Sequence, residues 1–192
     1  QPVAAWQKYL AFHIASDNAG SLPKAFDEAS FNFFRKALSG QEVQRDRWKR
    51  GIALLDGVIG EGLGEIYVQK HFNADAKAKM DALVANLRAG LKSKLETLAW
   101  MDDATRAEAL KKLDKFEPRV GYPEKWRDYS ALAIEPGKLF ENLQASKKYE
   151  WERKVARLKE TVDRAEWVMT PQTVDAYYNP LVNQITFPAG IL

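Results

Sequence analysis

The 192-residue sequence contains no cysteine, so it has no disulfide framework, no thiolate metal site and no cysteine nucleophile. That leaves the compartment open, because disulfide-free proteins occur on both sides of a membrane. Histidine is almost as scarce. His13 and His71 are the only two and stand far apart, so a histidine-rich metal site or a Ser-His-Asp triad would have to be assembled from singletons. No stretch approaches the ~18 consecutive apolar residues of a membrane-spanning helix. Gln1-Pro2-Val3 opens the chain without the basic segment and apolar run of a secretory signal, so the sequence reads as that of a soluble chain. An excess of one charge is also missing. With 29 Lys and Arg against 26 Asp and Glu, the formal charge of +3 is too small and too evenly spread to indicate nucleic acid as a partner.

What remains is material for a core: 46% of the residues are hydrophobic and 29% charged, which disfavours disorder and fits one domain or a domain and a half. Helical spacing dominates. Trp6, Tyr9, Leu10, His13 and Ile14 predict a helix over residues 2–16, and Phe26, Phe33, Phe34, Ala37 and Leu38 continue a 3.6-residue pattern from Pro23 until Gly40. Trp48, Ile52, Leu55, Ile59, Leu63 and Ile66 predict one long helix from Gln41 to Phe72, with a centre softened by Gly51, Gly57, Gly60, Gly62 and Gly64. A clean stripe from Ala76 to Leu98 predicts the next over residues 75–100, and Asp102-Asp103-Ala104-Thr105 opens another that Pro118 terminates. Residues 117–136 read as an irregular loop packed down by its aromatics, followed by a helix over residues 136–167. The character then changes. Residues 171–192 hold a single charged residue, Asp175, and two runs rich in β-branched and aromatic residues, 174–178 and 184–187. The expected fold is mainly α: a multi-helix domain with a small C-terminal β-hairpin or strand pair within residues 173–188.

Three features invite chemistry, and each has a plainer explanation. The glycine cluster 57–64 lacks the preceding strand and the Gly-Lys-Ser/Thr ending of a nucleotide loop, so close approach of a neighbouring helix explains it better. Neither histidine has a second histidine four residues away. The Asp102-Asp103 pair resembles two catalytic carboxylates, yet a helix N-terminal cap accounts for it. The near-neutral C-terminal strand pair is either a buried hairpin or a sheet edge that accepts an extended peptide, with Ala176 allowing close approach.

Five blocks resemble, in order, the neprilysin and endothelin-converting-enzyme family of zinc metallopeptidases. They are Phe34-Arg35-Lys36-Ala37-Leu38-Ser39-Gly40, Gly64-Glu65-Ile66-Tyr67-Val68, Leu98-Ala99-Trp100-Met101-Asp102, Gly121-Tyr122-Pro123, and Val174-Asp175-Ala176-Tyr177-Tyr178-Asn179-Pro180 with residues 183–192. The resemblance covers essentially the whole chain and suggests a bacterial member, with which the absence of cysteine is compatible. It implies that residues 1–170 belong to the helical domain of such a peptidase. Residues 171–192 would begin the catalytic-domain sheet, including its substrate-binding edge strand.

Family members hydrolyse peptides with a zinc held by His-Glu-x-x-His and a downstream glutamate. None of these residues is present here, because in the family that helix lies a short way beyond the equivalent of Leu192. The resemblance therefore implies an internal piece of a peptidase, inert alone: zinc belongs to the intact parent and none is expected in this piece. The implied partners are a peptide substrate and the remainder of the catalytic domain. The family's edge strand grips the substrate backbone with an Asn-Ala pair that aligns with Asp175-Ala176, where the aspartate keeps the acceptor, loses the amide donor and adds a charge. The alternative reading is a stand-alone helical interaction domain without catalysis. By analogy the parent is exported, periplasmic or lipid-anchored, with a cytoplasmic location as the alternative.

Overall fold

The computed structural model describes residues 2–192, which form two compact units. One contains the residues up to Leu54 together with Ser130–Glu160; the other contains Leu55–Tyr129 and Thr161–Leu192.

In the first unit, α1 (Val3–Asp17) ends where Asn18 Nδ2 donates to Ile14 O at 2.7 Å. Pro23, whose ring holds φ at −52°, stands at the cap position of α2 (Lys24–Ser30), which runs on as a π-helical stretch over Phe31–Ala37. Gly40 takes the left-handed φ of 70° that closes the helix. Asp27 of α2 accepts hydrogen bonds from Arg50 at 2.9 Å and from Gln44 at 3.1 Å. The last helix of this unit ends earlier than its period predicts, at Arg157 and not at residue 167. Leu158 and Val162, which continue its stripe, are 84% and 77% exposed, so no packing repays the cost of extending the helix.

The helix over Arg47–His71, α3, belongs to the first unit up to Leu54 and to the second from Leu55 onward. Its predicted soft centre is a real break: Ile59 has the non-helical angles φ −128° and ψ 37°. In the second unit α4 (Ala74–Thr97) is capped by Asn73, whose side chain accepts from Ala76 N at 2.8 Å. The end of α4 is satisfied from outside the helix. Arg106 of α5 (Asp103–Asp114) donates to the carbonyls of Leu95, Glu96, Leu98 and Met101 at 2.8–3.1 Å. The helix that closes the first unit, α6, covers Leu139–Arg157.

The second unit also holds a three-stranded sheet of order β1-β3-β2, formed by β1 (Glu117–Gly121), β2 (Tyr177–Asn179) and β3 (Gln184–Pro188). The strand pair expected near the C-terminus is present, antiparallel, with Tyr177 opposite Thr186 and Asn179 opposite Gln184. Its first strand is shorter than the sequence suggests, since residues 174–176 precede the ladder.

The third strand was not legible, because Pro118 reads as a stop. Instead β1 pairs in parallel with β3, from Glu117 opposite Gln184 to Gly121 opposite Pro188. Glu117 N–H donates to Asn183 O at 3.1 Å, so the next residue, Pro118, falls on the outer side, where a missing N–H costs no ladder bond. The central strand β3 alternates in burial. Gln184, Thr186 and Pro188 face inward, Thr186 at 1% exposure. Around the sheet Val68, Val84, Leu113, Val120, Trp167 and Ala189 form the core of this unit. No helix among the described residues is long and apolar enough to cross a membrane.

Candidate functional site

The sequence expectation of a peptide-binding edge falls on β2 and the residues before it. β3 occupies one side of β2, and among the described residues no strand pairs with the other, so its outer backbone groups stand ready for an added strand. Tyr178 anchors the strand: its ring stacks on Phe116 at 6.4 Å and its hydroxyl hydrogen-bonds Asn183 at 3.0 Å. Tyr177 fixes the approach to the strand, its hydroxyl accepting from Val168 N–H at 2.9 Å.

Asp175 and Ala176 lie immediately before β2. Asp175 is exposed and Ala176 half-buried. Asp175 Oδ1 accepts the N–H of Ala176 at 2.7 Å, so the carboxylate occupies an amide that would otherwise be free for a ligand.

The sheet is held at its other end by a charged cluster that the sequence reading missed. Gln184 Nε2 donates to Glu117 Oε2 at 2.8 Å and to Arg164 O at 3.0 Å. Arg119 and Arg164 pair with the same carboxylate at 2.8 and 3.1 Å. The Gln184 hydrogen bond and the two guanidinium groups hold Glu117 below the usual carboxylate range, against the opposing effect of burial. Only the β1–β3 pairing brings these residues together, and no local pattern announces a parallel pair between segments 67 residues apart in sequence.

Other candidates resolve into structural roles. Asp102 is the N-cap of α5, accepting from Thr105 N at 2.7 Å and Thr105 Oγ1 at 3.0 Å, and these hydrogen bonds lower its pKa. The glycines of α3 do admit a close neighbour, but it is a turn, closed by Thr173 N–H donating to Thr170 O at 3.0 Å, and not a helix. A Cβ on Gly60 would fall 2.7 Å from Thr170 Cγ2, and one on Gly64 2.7 Å from Pro171 Cδ. Gln172 completes the contact, donating to Asp56 Oδ1 and, at 3.0 Å, to the Gly60 carbonyl beside the break at Ile59. A cavity of about 150 Å³ opens next to this contact. Its charged lining is already engaged, with Glu61 paired to Arg127 at 3.3 Å and Asp56 bound by Gln172.

The residues present do not fit a metal. Among the described residues no group of three or more His, Cys, Asp or Glu could hold one. His13 stacks near Tyr9 in the first unit and His71 near Tyr67 in the second, both exposed on their helices.

Comparison with known proteins supplies the context. The chain is 34% identical to neprilysin-3 of Drosophila melanogaster and 35% identical to an endothelin-converting enzyme homolog of Locusta migratoria, in each case over 96% of its length. It spans about a quarter of those relatives, 24% and 26%. Among solved structures, the inhibitor complex of a zinc metalloprotease from Mycobacterium tuberculosis superposes with a TM-score of 0.90 at 44% identity, covering 99% of this chain and 28% of that one. PepO from Lactobacillus rhamnosis gives 0.79 at 30% identity, covering 92% and 28%. Both are bacterial, as the resemblance in the sequence suggested. A family model described as peptidase family M13 matches residues 1–123, well over half of the chain. The five sequence blocks, the helical fold with its small sheet and these matches agree, and the chain belongs to peptidase family M13, the neprilysin-like metallopeptidases.

Proposed function

We propose that this chain serves zinc-dependent hydrolysis of peptides, as the helical wall of a substrate chamber together with the sheet edge that holds the substrate backbone. The observation that carries the reading is the match to the mycobacterial zinc metalloprotease, at 44% identity over 99% of the chain. The free side of β2 supports the binding role, since an extended peptide adds to such an edge through main-chain hydrogen bonds. Asp175 and Ala176, immediately before that strand, are the proposed contacts. Among the described residues no side chains form a zinc ligand set, so this reading assigns the metal and the activated water to other parts of the intact peptidase. A stand-alone interaction domain has less support, because the relatives named above carry enzyme names.

The test compares two proteins, the full-length peptidase carrying this sequence and the 192-residue chain, each incubated with a flexible peptide and zinc. Cleavage by the first that stops on chelation and returns with zinc, and no cleavage by the second, is the expected result. Metal-dependent cleavage by the 192-residue chain alone overturns the assignment of a wall and edge role. An inert full-length protein overturns the peptidase function.

A further inference from the structure

The approach to the outer strand β2 carries a charge that its surroundings do not neutralise. Asp175 is the single charged residue within residues 171–192, it is exposed, and it forms no ion pair among the described residues. One of its oxygens accepts the Ala176 N–H at 2.7 Å, which leaves the other to solvent. Lys112, which sits against the same strand, is directed over the Tyr178 ring at 5.9 Å from its centroid. A peptide added along the free side of β2 passes Asp175 at the entry to the strand, where a lysine or arginine side chain is long enough to reach the exposed carboxylate. A carboxylate only accepts hydrogen bonds. With Oδ1 on the Ala176 N–H, the other oxygen can accept from a cationic side chain and repels a peptide carbonyl.

We propose that Asp175 is a specificity-determining residue, selecting peptides with lysine or arginine at the position that passes it at the entry to the β2 edge. The inference rests on the proposed peptidase function and names the substrate class for it. An aspartate held by its own following amide keeps one fixed orientation, so the selection acts at one position of the peptide and not along its whole length.

The experiment uses the full-length zinc-loaded peptidase and matched peptides in which lysine, glutamine or glutamate is scanned through the positions flanking the cleaved bond. At one position kcat/KM falls in the order lysine, glutamine, glutamate, with about a fivefold step from lysine to glutamine carried by KM and reduced by added salt. In the Asp175→Asn variant the lysine-to-glutamate ratio at that position collapses toward one. Ratios unchanged by Asp175→Asn, or no charge preference at any position in the wild type, overturn this inference and leave the peptidase function standing. Absence of cleavage of every peptide by the wild type overturns the peptidase function and this inference with it.

Discussion

Gly64 and Gly57 occupy the same helix and look alike in sequence, yet the structure separates them. At Gly64 an added Cβ would meet Pro171 Cδ and Gln172 Oε1, both at 2.7 Å, whereas at Gly57 nothing lies within 4 Å. Pro171 is a rigid ring with little freedom to move aside. Gly64→Ala is therefore expected to destabilise the protein by about 1–3 kcal/mol through overpacking. Gly57→Ala is expected to stabilise it by up to about 1 kcal/mol, the difference in helix propensity. Urea unfolding of the two variants beside the wild type checks both signs. Equal effects would mean that the 170–172 segment does not rest on α3. The cluster of glycines was legible as a sign of close packing. Which of them carries the contact was not, because the partner comes from a segment about 110 residues away and follows no helical period.

At the scale of elements, local signals worked where the element was local. The cap of α5 at Asp102 follows the side-chain chemistry of its first turn. Local signals failed where a distant segment decided the outcome: β1 exists because β3 lies beside it, and α6 stops where its stripe has no neighbour. The sheet that results is tied by Glu117, which gives it a sensitivity to acid. The hydrogen bond from Gln184, aided by Arg164 and Arg119, lowers the folded pKa of Glu117 below its unfolded value. Its contribution to stability is thus complete above the ordinary glutamate value, about 4.3, and is lost as pH falls through the folded pKa. Because the side chain is 42% exposed, solvent screening keeps this contribution small. Unfolding free energies measured from neutral pH down into this range should fall more steeply for the wild type than for Glu117→Gln. Parallel curves for the two proteins would show that the carboxylate is not coupled to folding.

For the molecule as a whole, the sequence revealed the helical stripes but not what covers them. A 3.6-residue period shows that a face is apolar, while burial depends on which surface that face meets. On α4 only Val84 is buried, and Leu83, Leu87 and Leu91 are 47%, 62% and 51% exposed. On α1 Trp6, Tyr9, Leu10 and Ile14 are each more than half exposed. Contiguous apolar surface of this kind on a folded protein marks an interaction face or an aggregation liability. The candidate edge has the same character: β2 was legible from its β-branched and aromatic run, while its free side became visible only with the three-strand order. If the stripes meet other parts of the intact peptidase, the 192-residue chain by itself will bind a hydrophobic dye and self-associate as its concentration rises, and the full-length peptidase will do neither. Dye fluorescence and light scattering over a concentration series measure this. A monomeric, dye-silent chain would show that the exposed leucines and aromatics are tolerated singly and are not an interface.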